Sequence, residues 1–331
     1  MTTIYFKSDK EDTREVSLKD NESVLNALLR IGVEVPYGCR SGVCQSCIMK
    51  TEHCEIPKNA QKGLREVQKQ QGYFLSCCCV PTESFSVSLS DQYKKELTSV
   101  IDKTFLTPDI IRLRVKKVIC YRPGQYMTLW KDQEIARSYS LASHPTKDDF
   151  IEFHIRVYPG GSFSSWVANQ LNVGDQLQIQ GPMGDCFYSI KDKSQTLFLS
   201  GIGTGLAPLY GIVRDALLYG HKGKILLLIG SRSESNLYYS KELSALKSHY
   251  PQLEVRYSIQ NIAPELVSTH SRESDIYATA KMLMPSLADT SVFLCGNDSF
   301  VKKMRKQCFL SGANMGDIYS DSFLTFPQKS A

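Results

Sequence analysis

The stretch Tyr37-Gly-Cys39-Arg-Ser-Gly-Val-Cys44-Gln-Ser-Cys47, with Cys77 a further 30 residues on, decides how this chain is read. Three cysteines spaced C-x4-C-x2-C in one loop, joined by a fourth from a distant segment, are the arrangement that holds a 2Fe–2S cluster. Such a cluster needs backbone wrapped closely around its sulfurs, donating N–H groups to them. Gly38 and Gly42 permit that approach and unusual φ values, while Ser41 and Ser46 are small. A zinc ribbon would want a second C-x2-C about 15–20 residues on, which is absent. Cys44-Gln-Ser-Cys47 alone would suit a redox pair, but it lacks the βαβ setting of that motif. Spacing does not choose the fourth ligand among the consecutive Cys77, Cys78 and Cys79.

Composition agrees with a metal site. The 331 residues hold 11 cysteines, an odd number, and seven of them lie between positions 39 and 79. A disulfide framework belongs to short secreted chains, so local clustering points to metal. The formal charge of +5 is mild and no Lys/Arg block exceeds a pair, which gives no support for nucleic-acid binding. No run approaches the roughly 20 apolar residues of a membrane span. The segment Met1-Thr-Thr-Ile-Tyr-Phe-Lys has no signal-peptide pattern. A cytoplasmic protein without a membrane partner is expected, acting as a monomer.

Three regions follow from the patterning, with boundaries at 1–90, 98–190 and 191–331 and a polar linker over 91–97. In the first, strands at Thr3–Lys7 and ending at Leu18 precede a helix carrying Val24, Leu25, Leu28 and Leu29. Asn21 is expected to cap it and Gly32 to stop it. The second is strand-rich: Ile151, Phe153, Ile155 and Val157 alternate with Glu152, His154 and Arg156, which predicts a half-buried antiparallel strand. Further strands at 110–115, 125–130 and 176–180, separated by Gly/Pro turns, suggest a barrel. In the third, apolar runs at 196–200, 224–230 and 291–295 alternate with helices at 206–219 and 299–310. That rhythm predicts a parallel sheet covered on both faces.

Two further sets of residues carry chemistry. Arg137-Ser-Tyr139-Ser140 lies in a barrel strand, where Arg is a poor core residue but a good phosphate ligand. Tyr139 offers a flat face and Ser140 a hydroxyl. Gly160-Gly161-Ser162-Phe-Ser164 is a Gly/Ser turn at a helix start, suited to phosphate. Alone, the Arg-Ser-Tyr-Ser run would pass for exposed strand decoration. In the third region, Gly201-Ile-Gly203-Thr204-Gly205 leads from strand to helix, where pyrophosphate meets backbone N–H groups. A tight strand–helix turn is the plain alternative. Cys295-Gly296-Asn297 ends a later strand, at the edge where parallel sheets bind ligands.

Through these residues and their order, the whole chain resembles the iron–sulfur flavoprotein reductases. Residues 3–90 look like a plant-type ferredoxin domain with a β-grasp fold, residues 100–190 like the FAD barrel of the ferredoxin–NADP reductase superfamily, and the remainder like its nicotinamide domain. The fold class implied is multidomain α+β and α/β: β-grasp, antiparallel β-barrel and parallel sheet. The resemblance implies Cys39, Cys44, Cys47 and Cys77 as cluster ligands, since Leu75-Ser76-Cys77 matches the family's approach to its last ligand. Cys78 and Cys79 would be small buried side chains. It further implies Arg137 on the flavin phosphates, Tyr139 against the flavin, Ser140 near its hydride-accepting nitrogen, and Gly161, Ser162 and Ser164 at the pyrophosphate. Cys295 and Gly296 would lie beside the nicotinamide, with Phe323 near the flavin. Ser231 and Arg232 stand where a nucleotide 2′-phosphate would be met; NADH is favoured over NADPH. Hydride would pass to FAD, and single electrons through the cluster to a terminal oxygenase or other electron-accepting enzyme. The alternatives are a reductase for a deoxysugar dehydrase, slightly favoured by the tail Tyr319-Ser-Asp321-Ser-Phe323, and a non-catalytic carrier or redox sensor.

Overall fold

The computed structural model describes residues 2–8, 12–35, 37, 40–42, 47–51, 55–89, 95–132, 135–190, 192–261 and 275–323, which divide into two units, Met1–Lys95 and Glu96–Ala331. In the first unit, β1 (Thr3–Lys7) and β2 (Thr13–Ser17) form an antiparallel pair in which Ile4 and Phe6 point inward and Tyr5 and Lys7 outward. Helix α1 (Val24–Arg30) follows. Its cap is Ser23, which accepts the Asn26 N–H at 3.3 Å, rather than the expected Asn21. Asn21 instead takes the left-handed turn just before, at φ 56°, a conformation asparagine tolerates. Then come β3 (Ile48–Lys50), α2 (Glu66–Gln70), β4 (Tyr73–Leu75) and β5 (Phe85–Leu89). The order β2-β1-β5-β3-β4, with only β1–β5 parallel, is the β-grasp sheet. Leu25, Leu28, Met49 and Phe74 fill its core.

Strand β6 (Lys95–Thr107) starts at the last residue of the first unit and is otherwise the opening strand of the second. Lys95, Glu96 and Leu97, read from sequence as linker, are its first residues. Strand pairing extends that far because Thr98 turns inward and donates to the Lys116 carbonyl at 2.7 Å. With β7 (Ile110–Lys116), β8 (Tyr126–Trp130), β9 (Ala136–Ser140), β10 (Phe150–Arg156), α3 (Ser164–Asn169) and β11 (Gln176–Met183), the sheet runs β10-β7-β6-β11-β8-β9. A bridge between Leu141 and Phe153 joins the two outer strands and closes the barrel. Strand β10 is not half-buried. Glu152 and His154 are as buried as Ile151 and Phe153, because their face meets the tyrosine pair Tyr238 and Tyr239 instead of water.

Beyond the barrel come β12 (Thr196–Ile202), α4 (Leu206–Leu218), β13 (Ile225–Ser233), α5 (Ser240–His249), β14 (Leu253–Asn261), α6 (Ile276–Leu283), β15 (Thr290–Asn297), α7 (Asp298–Leu310) and β16 (Ile318–Phe323). The order β14-β13-β12-β15-β16 is parallel throughout. Leu197, Leu199, Leu227 and Phe293 pack on one face, and Phe198, Leu226, Leu228 and Val292 on the other. Burial on both faces is why these strands read as unbroken apolar runs. The chain starts at the central β12 and winds outward both ways, so the order reverses between β12 and β15. A crevice at the carboxyl ends of those strands is the ligand position of such sheets. No described helix is long and apolar enough to cross a membrane.

Candidate functional site

The β3–β4 pair builds the cysteine site. Its register, Ile48 opposite Leu75, sets Cys47 beside the turn Ser76–Cys78. The Ser76 N–H and hydroxyl both donate to the Cys47 carbonyl, at 3.1 and 2.8 Å, and fix that approach. The Cys47 and Cys77 side chains then interact, and the Gly42 N–H donates to the Cys77 sulfur. Gly42 has φ +79°, which lets the loop turn its amide inward. Burial pushes the Cys47 thiol up to about 11, so a metal's positive charge is what would hold it as thiolate. Two cysteines from separate segments with a loop amide on a sulfur fit a 2Fe–2S cluster. Cys39 and Cys44 lie outside the described residues, and among the described residues no three metal-ligating side chains converge.

In the barrel, β9 carries Arg137 and Tyr139 on one face and Ser140 on the other, as strand alternation requires. Arg137 is exposed, and its guanidinium donates to the Ala136 carbonyl at 2.7 Å. Tyr139 packs on Phe163, with ring centroids 5.6 Å apart. Ser140 is buried and donates to Oδ2 of Asp321 at 2.6 Å, joining barrel to parallel sheet. Burial raises the Asp321 carboxyl to about 6 against the Ser140 hydrogen bond, and nearby Asp185 raises it further. Asp321 is the register partner of Cys295. Cys295 is fully buried, its sulfur 3.9 Å from that of Cys186, and burial drives its thiol well above the ordinary range.

The turn at 161–164 is tight: the Ser164 hydroxyl accepts the Tyr158 N–H at 3.1 Å, and a side chain at Gly161 would stand 2.6 Å from that oxygen. Ser162 is exposed. The helix it opens, α3, has only 6 residues, so the turn's own amides outweigh any helix dipole there. An exposed arginine, a packed tyrosine and a compact Gly/Ser turn fit a flavin dinucleotide with its ring by Tyr139.

A cavity of about 320 Å³ opens at the reversal point of the parallel sheet. Gly203, Thr204, Ser231, Arg232 and Phe323 line it, together with Asn297 and, from the barrel, Asp109 and Arg156. Gly201, Gly205, Cys295 and Gly296 are not among its lining residues. The glycine turn thus divides its work. A Cβ at Gly205 would lie 2.1 Å from the Cys295 carbonyl oxygen, so Gly205 exists to let the turn lie against β15. Gly203 alone of the three faces the cavity, near the Arg156 guanidinium. A cavity rimmed by two arginines and a glycine turn fits the phosphates of a nicotinamide dinucleotide.

Sequence reasoning missed Asp321 and Arg156 as site residues. Asp321 belongs to the tail motif Tyr319-Ser-Asp321-Ser-Phe323, but its partner Ser140 lies 181 residues away. Arg156 read as one polar position of an alternating strand. Its Nε is buried without a hydrogen-bond partner, with Asp109 at 3.6 Å.

Comparisons with known proteins identify the three modules. The 2Fe-2S iron-sulfur cluster binding domain family matches residues 7–82, the oxidoreductase FAD-binding domain family 98–188, and the oxidoreductase NAD-binding domain family 198–306. The ferredoxin–NAD(P)+ reductase component of the naphthalene 1,2-dioxygenase system of Pseudomonas putida is 32% identical, covering 94% of this chain and 96% of that one. The corresponding component of the naphthalene 1,2-dioxygenase/salicylate 5-hydroxylase systems of a Ralstonia species is 31% identical, covering 93% and 95%. Among solved structures, the reductase GcoB of Amycolatopsis superposes with a TM-score of 0.66 at 24% identity, covering 98% of this chain and 99% of that one. The chain belongs to the family of ferredoxin–NAD(P)+ reductase components, built from a 2Fe–2S domain, an FAD domain and an NAD domain. It is an NAD(P)H-dependent iron–sulfur flavoprotein oxidoreductase.

Proposed function

We propose that this protein is the reductase of an oxygenase system, drawing electrons from NAD(P)H and delivering them to a terminal oxygenase, as a cytoplasmic monomer. The observation that carries the reading is the order of the three modules in one chain, shared end to end with relatives named as dioxygenase reductase components. When bound, FAD accepts a hydride and releases single electrons, and the cluster carries them one at a time.

The chain's own residues position these groups. Cys39, Cys44, Cys47 and Cys77 hold the cluster, with the Gly42 amide on one sulfur. Arg137 meets the flavin phosphates, Tyr139 covers the ring, and Gly161, Ser162 and Ser164 shape the pyrophosphate turn. Gly203, Thr204 and Arg156 receive the nicotinamide dinucleotide's phosphates, while Ser231 and Arg232 meet its second ribose. Ser140 and Asp321 sit where the two ring systems would meet, the serine hydroxyl held by the carboxylate. Cys295, the register partner of Asp321, is buried, and Phe323 lines the cavity.

The test is turnover of the purified holoprotein with NADH and with NADPH, first with a dye acceptor and then with a terminal oxygenase. Dye reduction and oxygenase turnover are both expected. Bound flavin with no reduction of either acceptor would contradict the reading.

A further inference from the structure

The three consecutive cysteines after β4 are not equivalent. Cys79 is fully buried in the core, and its carbonyl accepts the Val24 N–H at 2.9 Å where α1 begins. Its side chain lies within the core of the first unit. Cys77 and Cys78 are both half-buried, with sulfurs 3.6 Å apart. Cys77 takes the Gly42 N–H, and Cys78 presses on the same residue: a Cβ built at Gly42 would stand 2.9 Å from the Cys78 sulfur. Two thiols therefore abut the backbone of the cysteine loop.

We propose that Cys78 is a reserve ligand of the 2Fe–2S cluster, not bound at rest but able to take over the iron held by Cys77. The inference rests on the reading of Cys77 as fourth ligand. A change of one staggered χ1 well moves a cysteine sulfur by roughly 3 Å, comparable with the separation of the two sulfurs. The absent side chain at Gly42 leaves the Cys78 sulfur its room. In the exchange one iron–sulfur bond breaks and another forms. Cys78 gives up its thiol proton, Cys77 takes one up, and no electron moves. One thiolate replaces another, so the cluster's charge is unchanged.

The test uses full-length protein with Cys77→Ala, Cys78→Ala and the double variant, reconstituted with iron and sulfide. Iron content, visible circular dichroism and the electron paramagnetic resonance of the reduced cluster are read, and bound flavin with far-ultraviolet dichroism checks folding. Cys78→Ala should match the wild type. Cys77→Ala should keep two irons per chain, with an altered spectrum, and the double variant should keep none. A folded Cys77→Ala without iron, beside a normal Cys78→Ala, overturns the reserve role and leaves Cys77 as the ligand. An unchanged Cys77→Ala with an altered Cys78→Ala overturns the reading of Cys77 itself. If Cys77→Ala does not fold, Cys77→Ser is compared with Cys77→Ser/Cys78→Ala. Different spectra support the exchange, and identical spectra overturn it.

Discussion

Asp321 titrates where it can matter: its carboxyl is raised from 3.8 to about 6, and its Oδ2 accepts the Ser140 hydroxyl at 2.6 Å. A raised carboxyl means that the folded state binds the proton more tightly than the unfolded state. Its contribution to stability is therefore present below about pH 4 and lost as pH rises through 6. In the site, the ionised form above that pH orients the serine hydroxyl. The rate of flavin reduction by NADH, followed by rapid mixing, should show an inflection near pH 6. Asp321→Asn should remove that inflection, and an unchanged profile would exclude the carboxyl from the step. Ser140→Ala, which removes the hydroxyl that Asp321 holds, should slow the same step on the order of 10²-fold, as loss of positioning at the reacting groups does. Sequence made Ser140 legible through Arg-Ser-Tyr-Ser but hid its partner, because a contact across 181 residues leaves no local pattern.

Strand β10 shows what alternation does and does not reveal. Period two located the strand and its core face, since Ile151, Phe153 and Ile155 all point into the barrel. It did not reveal that Glu152 and His154 are also buried, because a polar face packed on protein spells the same letters as one facing water. There Glu152 accepts from Arg114 at 2.6 Å, His154 at 3.1 Å and Tyr239 at 2.5 Å. Burial works against ionisation, yet these bonds hold the carboxyl at about 2. Glu152→Gln should cost about 3–5 kcal/mol in urea unfolding, the effect of stripping one partner from a buried ion pair. The wild-type contribution is full above about pH 4.5 and lost as pH falls towards 2, so the gap between the proteins should close in acid. The glycine turn makes the complementary point. Its motif is legible, but only the fold tells that Gly205 serves β15, with the Cys295 carbonyl oxygen 2.1 Å from any added Cβ. Gly205→Ala should lower stability by about 3 kcal/mol, read as a fall in Tm.

At the scale of the whole chain, module order was the most legible feature, because each module announces itself by a short motif with its own chemistry. Cysteine spacing marks the cluster domain, Arg-Ser-Tyr-Ser the barrel, and a glycine turn after an apolar strand the nucleotide sheet. The closing bridge of the barrel at Leu141–Phe153 and the edge strands β14 and β16 were less legible, because the bridge is a single residue pair and both edge strands mix polar residues with apolar ones instead of forming an unbroken apolar run. The electron path is the central claim, and it has an order in time. Holoprotein is mixed without oxygen with one equivalent of NADH, while flavin absorbance and the cluster's paramagnetic signal are followed together. Bleaching of the flavin should come first, and the reduced-cluster signal should grow as the flavin gives electrons up. A cluster that is reduced ahead of the flavin, or that stays oxidised while the flavin remains reduced, would contradict the account.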